Sequence, residues 1–374
     1  MKFSRCFVII SFLWMATQGS SAVDSAPYVE KLPMDPPPPV TVRGAVNGKG
    51  PVRYAKNQAG QRFDRACSTN ALVITGINTN STDPGHFDVL RLSPTTNVPA
   101  LFKNNRFTAR NSDDHIILFG SEESSSSDHK LDGIAITGNK IVWTGTDLTD
   151  GNEGILTGYS IDAMIKYNFI LNCPYGTPTK SSGMNYTYGG VAYNVYTSSF
   201  KVGTGAKGTS GVRFYNNSFY NTRKPGQGVI GSVYINSNND WSTPGPASTN
   251  CQIFNNVFYT KHQVPNIYCD QASLAGLQCD YNLYWCEDGE PVFRIAGNTI
   301  TLTQWKAMGF DQHSLRINPG FTSFATLIPS SPLNFGTNLG SPWQNGLDSQ
   351  TAWNGSDPIL KAQPAVWQLG AYVR

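Results

Sequence analysis

The chain has 374 residues and a formal net charge of +3, with only 14% of its residues charged, against the roughly 25% usual for soluble domains. So thin and balanced a charge excludes the basic field that nucleic acid or an anionic lipid surface requires. Aromatic residues make up 12% of the chain and Asn, Ser, Thr and Gly are frequent, a mix suited to stacking on and hydrogen-bonding sugars that are neutral or sparsely charged.

Residues 1–22 place Lys2 and Arg5 ahead of an apolar run, residues 7–16, and end on Ser20, Ser21 and Ala22. Such a run is too short to cross a bilayer, and with its small-residue end it reads as a secretory signal peptide. A secreted or extracellular protein is expected, with the periplasm as the alternative compartment. No later stretch is long and apolar enough to span a membrane. Residues 23–45 contain Asp35 followed by Pro36, Pro37, Pro38 and Pro39, which cannot pair as a central strand, so a linker or leading arm is expected. Once Cys6 leaves with the leader, Cys67, Cys173, Cys251, Cys269, Cys279 and Cys286 remain. An even count in an exported chain permits disulfides whose pairing the spacing leaves open. Asn80, Asn185, Asn216 and Asn354 lie in N-x-S/T sequons, of consequence where the host glycosylates.

From about residue 97 an Asn-x-apolar motif recurs at Asn105, Asn139, Asn168, Asn194, Asn217, Asn256 and Asn282, with gaps of 34, 29, 26, 23, 39 and 26 residues. A period of this size marks a solenoid. Three residues before each Asn stand Phe102, Ile136, Ile165, Val191, Phe214, Ile253 and Cys279. Five before it stand Ala100, Ile134, Ala163, Gly189, Val212, Cys251 and Leu277, while intervening positions such as Lys103, Thr137, Lys166, Arg213 and Gln252 are polar. The alternation predicts a short strand with every second residue inward, a bend at the Asn, and a second strand opening on an inward apolar residue. Asn is expected at the bend because it tolerates a left-handed backbone and its amide can bond to the equivalent turn one coil away. An ordinary β-sandwich with Asn-rich turns is the competing arrangement. The predicted class is therefore all-β, a parallel β-helix over residues 46–318. One short helix is expected near residues 301–308, and the turn-rich tail, residues 319–374, is expected to cap the open end of the solenoid.

The chain resembles secreted right-handed parallel β-helix proteins of the polysaccharide-lyase-like (pectin-lyase-like) superfamily. The resemblance rests on the Asn ladder, on residues 302–321 with Trp305, His313-Ser314 and Asn318-Pro319-Gly320-Phe321, and on Leu369-Gly370-Ala371-Tyr372. It covers roughly residues 65–374 and implies an active site on the outer face of the strand preceding the aligned one. The matching segments are residues 154–160, 177–182, 204–208 and 229–234, which put Tyr159, Lys180 and Lys207 near the ends of successive strands. Coils stack about 4.8 Å apart, so these side chains can converge on one sugar, although their separations from the ladder Asn are unequal.

β-Elimination on a uronic acid needs a base for the C5 proton, a cation or donor for the enediolate, and an acid for the leaving oxygen. Lys near another cation serves as base, and Tyr as acid or base. Lys180-Ser181-Ser182 resembles the Lys-Ser segment of alginate- and chondroitin-type β-helix lyases, and Arg213 is similar in place to their carboxylate-binding or acid Arg, with Phe214-Tyr215 following it instead of His-Gly. Tyr186 and Tyr188, in the insertion 183–190, and Lys166 are candidate substrate contacts. The expected activity is cleavage of a uronate-containing, alginate-like polysaccharide by a monomer without cofactor. A glycoside hydrolase of the same fold is the enzymatic alternative, requiring paired carboxyls from among Asp113, Asp114, Asp128, Asp132, Glu153 and Asp162. Asp147, Asp150 and Glu153 are alternatively Ca²⁺ ligands, whereas no CxxC pair or His-rich cluster suggests zinc. A non-catalytic carbohydrate-binding or adhesin solenoid is the third reading, favoured by the low charge.

Overall fold

A computed structural model describes residues 5–9, 28–30, 40–43, 62–66, 72–75, 78–81, 90–92, 100–109, 115–119, 131–132, 135–144, 153–158, 160–161, 163–185, 190–237 and 246–374. Of the leader and arm only three short strands are described, Arg5–Ile9, antiparallel to Arg62–Ala66, with Tyr28–Glu30 and Val40–Arg43; the signal-peptide and linker readings otherwise lie outside these residues.

Three long sheets make up the body. Sheet A contains Leu90–Leu92, His115–Phe119, Glu153–Gly158, Tyr175–Asn185, Val202–Ser210, Gly231–Asn236, Pro265–Cys269 and Val292–Ile295, closed by the antiparallel strand Asn298–Thr301. Sheet B runs from Tyr28–Glu30 through Ala100–Lys103, Ala135–Thr137, Met164–Lys166, Gly190–Ala192, Arg213–Tyr215 and Gln252–Phe254 to Gln278–Asp280. Sheet C runs from Asn78–Ser81 through Arg106–Ala109, Lys140–Trp143, Phe169–Leu171, Val195–Thr197, Ser218–Asn221 and Val257–Thr260 to Leu283–Cys286. The chain visits sheets B, C and A in turn, and, apart from Tyr28–Glu30, which is antiparallel to Val40–Arg43, each strand pairs in parallel with its equivalent in the next pass. Stacked coils of this kind are consistent with a parallel β-helix.

The interior follows the sequence alternation. Phe102, Ile136, Ile165, Val191, Phe214 and Ile253 are all at most 1% exposed, and they stack as one column of sheet B. On sheet C the rings of Tyr196, Phe219, Phe258 and Tyr284 form a run of parallel faces with centroids 4.8, 5.0 and 4.9 Å apart, close to the strand repeat. Cys173, Cys251, Cys269, Cys279 and Cys286 are buried and free; they serve as small apolar fillers rather than the disulfide partners that the even count permitted, while Cys67 lies outside the described residues.

Between sheets B and C the Asn side chains connect coil to coil. Asn194 illustrates the rung: its backbone N–H and Nδ2 both donate to Asn217 Oδ1 at 3.1 Å, and Nδ2 also donates to the Ile165 carbonyl of the preceding coil. The same pattern links Asn105 to Asn139, Asn139 to Asn168, Asn168 to Asn194, Asn217 to Asn256 and Asn256 to Asn282. The left-handed backbone, however, belongs to the residue before the ladder Asn: Asn104, Gly138, Tyr167, Tyr193, Asn216, Asn255 and Tyr281 have φ between 51° and 68°. The ladder Asn is selected for its amide, and its neighbour absorbs the turn. Gly138 is required at its place because an added Cβ would lie 2.3 Å from Asn104 Oδ1 and 3.0 Å from Pro358.

The open end at the last coil is closed by the helix Leu302–Ala307, entered through a Thr301–Gln304 capping box. Trp305 stacks between Phe293 and Phe310. Fully buried Asp311 terminates the Asn ladder, accepting from Asn282 Nδ2, Trp305 Nε1, Tyr284 Oη, Cys279 Sγ and Ser314 Oγ. The tail, expected to cap this end, instead runs along the outside of the bend between sheets B and C. It contacts the left-handed residues one after another: Asn255 donates to Thr337 O, Asn216 to Gln368 O, Tyr193 to Trp343 O, Tyr167 to Asn345 O, and Asn104 to Asp357. A residue in left-handed conformation at a corner points its side chain away from the coil, and the tail satisfies the column so displayed.

Candidate functional site

The last three parallel strands of sheet A alternate at their C-terminal ends. Val233 and Ile235, Ile267 and Cys269, and Phe293 and Ile295 point inward and are at most 4% exposed, so Tyr234, Tyr268 and Arg294 face outward, the tyrosines half-buried and Arg294 exposed. On the strand before, Ala206 is buried and Lys207 beside it half-buried. Inward Thr177 and Thr204 bond to each other and Thr177 also to Tyr196, which gives this part of the interior a polar lining.

The expected site residues fall as follows. Lys180 pairs in register with Lys207, Lys207 with Asn236, and Gly158 with Lys180. The two lysines thus stand on adjacent strands, roughly 4.8 Å apart along the stack. Their equal register position explains how unequal loops still align them: the length difference is taken up within the strand beyond Lys180, where the register shifts between Lys180 and Met184. Tyr159, Tyr186 and Tyr188 lie outside the described residues, as do Asp113, Asp114, Asp128, Asp147, Asp150 and Asp162.

Arg213 and Lys166 stand on sheet B, not sheet A. Arg213 pairs with Gln252 and lies beside Tyr215, whose ring meets Trp343 edge-on at 5.0 Å. Lys166 donates to Pro342 O and holds its ammonium 4.3 Å from the Trp343 ring centroid; burial lowers it to about 8. Lys166 is thus a docking point for the tail, and Arg213 belongs to the same face rather than to the lysine pair.

Residues that the sequence reading passed over complete the outer face of sheet A. Tyr234 pairs with Tyr268, and Tyr268 with Arg294. The two rings are 5.2 Å apart, and the Arg294 guanidinium sits 5.7 Å from the Tyr268 centroid, within cation–π range. Asn236 Nδ2 donates to Tyr234 Oη at 2.7 Å. Asp270, next in line after Asn236, accepts from Ser237 N and Oγ and from Ser273 N, which together hold it below the usual carboxylate range against the opposing effect of burial. The signal was present as apolar-x-apolar around each of Tyr234, Tyr268 and Arg294, but counting back from the Asn turn does not reach across the variable loop between sheets A and B. Among the described residues no three His, Cys, Asp or Glu side chains gather as metal ligands would.

These features define a class: an all-β protein of stacked parallel coils, with a sheet bearing lysine, tyrosine and arginine on its outer face and a tail packed elsewhere. Comparison with protein-family models, with curated proteins and with solved structures finds no match.

Proposed function

We propose that the chain is an exported right-handed β-helix enzyme of the polysaccharide-lyase-like class, cleaving a uronate-containing, alginate-like polysaccharide by β-elimination on the outer face of sheet A. The observation that carries this reading is the register pairing of Lys180 with Lys207. Two lysines one coil apart supply what the reaction needs: one serves as the base, and the second stabilises the enediolate. Lys180 takes the proton from C5, the electron pair moves to form the C4–C5 double bond, and the C4–oxygen bond breaks. Tyr159, which follows the Gly158 paired with Lys180, donates the proton that the leaving oxygen takes up.

The test is incubation with alginate, pectin and glycosaminoglycans, following the ultraviolet absorbance of unsaturated product ends. Absorbance should rise with at least one acidic polymer, and Lys180→Ala and Lys207→Ala should each lower kcat by about 10²–10⁴-fold. New reducing ends without absorbance would make the protein a hydrolase, and full activity in Lys180→Ala would remove the lysine pair from the mechanism.

A further inference from the structure

We infer that Tyr234, Tyr268 and Arg294 form a binding subsite for an acidic sugar unit of a polysaccharide chain lying across the strands of sheet A. The inference rests on the reading that sheet A faces a polysaccharide, but not on that polymer being cleaved.

Three successive strands each offer one outward side chain at the same register, so the three form a row along the stacking direction. The row continues away from Lys207: Gly205, two residues before it, pairs with Tyr234. From the strand of Lys207 to that of Arg294 is three strand spacings, roughly 14 Å, a distance that one polymer chain can bridge and one sugar cannot. A polymer held at both ends would cross the lysine pair in a fixed direction.

The row is built in advance of any ligand. A Cβ at Gly205 would lie 3.0 Å from Tyr234 Cβ and 2.6 Å from its carbonyl, so only glycine lets the Tyr234 strand and side chain sit this close. The Asn236 amide fixes the Tyr234 phenol from one side, and the Tyr268 ring leans against it from the other. Arg294 is held over that second ring, which restrains a long side chain that is otherwise solvated. Tyrosine faces receive the C–H face of a pyranose while the phenol oxygens meet hydroxyls, and a guanidinium grips a carboxylate through two parallel hydrogen bonds.

Charge selects the occupant. Among the described residues, Lys180, Lys207 and Arg294 stand on strands at or beside the row, and a neighbouring acid, Asp270, is turned onto Ser237 and Ser273. An acidic polymer fits this balance better than a neutral one.

Native electrophoresis through gels containing alginate, polygalacturonate or a neutral glucan reads binding without requiring turnover. The wild type should be slowed by an acidic polymer and not by the glucan, and Arg294→Gln should need about tenfold more polymer for equal retardation, the equivalent of about 1.4 kcal/mol. Tyr268→Leu, which keeps an apolar side chain, should show a similar loss with an unchanged unfolding midpoint. Equal retardation of Arg294→Gln and wild type, or no retardation of the wild type by any acidic polymer, would overturn the subsite. Binding that weakens in Arg294→Gln without any unsaturated product leaves the subsite and removes the lyase; cleavage with unchanged KM in Arg294→Gln does the reverse.

Discussion

Asn217 is buried at the centre of the ladder, and its amide does four things at once. Its Oδ1 accepts the backbone N–H and Nδ2 of Asn194, and its Nδ2 donates to Val191 O and to Asn256 Oδ1. Asn217→Ala leaves the buried Asn194 N–H and Val191 carbonyl without partners, and each stranded group costs about 1–3 kcal/mol. A total loss of roughly 2–6 kcal/mol in unfolding free energy is expected from urea titration, whereas exposed Asn298→Ala should change it by less than about 0.5 kcal/mol. A loss below about 1 kcal/mol in Asn217→Ala would mean that water replaces the amide and that the ladder is ornamental to stability. The repeat was legible in the sequence because no other side chain carries donor and acceptor at that length, so each coil had to present Asn. Which residue takes the left-handed conformation was not legible: Tyr167, Tyr193 and Tyr281 are bulky residues for which positive φ is unfavourable. They hold it because their rings and hydroxyls are engaged, Tyr167 stacking on Tyr193 at 5.7 Å and Tyr281 on His313 at 4.8 Å.

Among the elements, the tail behaves as a strap laid along the corner between sheets B and C. Its anchors are aromatic: Trp343 on Tyr215 and Lys166, Trp353 on Phe169, and Trp367 among the apolar residues that line the same face. Trp343→Ala removes a nearly buried indole, a change worth about 3–5 kcal/mol. The loss should be partly local, because the tail carries few hydrogen-bonded strands of its own and elements of that kind open below the global unfolding free energy. Limited proteolysis is expected to cut the variant within residues 336–374 several-fold faster than wild type while the coils resist. Simultaneous loss of both would show that strap and coils unfold as one unit. The sequence pointed to a covering role for this turn-rich tail, and the position proved different. The end of the stack of strands is already filled by Trp305, Phe310 and Asp311, which leaves the tail to the apolar side faces.

Across the whole molecule, stacking removes so many tyrosines from water that the fold becomes sensitive to alkali. Burial raises Tyr167 and Tyr215 to about 12, and pushes Tyr193, Tyr196, Tyr284 and Tyr372 upward as well. A raised phenol keeps its proton in the fold after the unfolded chain has begun to lose it near its ordinary value of 10.0. Stability from these groups is therefore complete below pH 10 and falls as pH climbs through 12. Lys166 has the opposite sign: between about 8 and its ordinary 10.5 the unfolded chain binds a proton the fold has released, so its contribution improves with pH over that window. The urea midpoint is expected to hold or rise slightly from pH 8 to 10 and then drop steeply, with the tyrosinate absorbance of the buried rings appearing together with unfolding. Tyrosinate absorbance that is complete before unfolding would contradict this burial.

What the sequence determined by itself was the coil: the inward positions, the Asn rung and the strand on either side of it. These depend on alternation and on one side chain's chemistry, both local properties. It also set Lys180 and Lys207 on successive strands. The tertiary structure decided which residues share a face, since Arg213 and Lys166 stand on sheet B, Lys166 against the tail, while Tyr234, Tyr268 and Arg294 form a row on sheet A two residues along the strand from Lys207. That outcome depends on how loops of different length return each strand to register, and on which outer faces the tail covers, and neither is written in the spacing of residues along the chain.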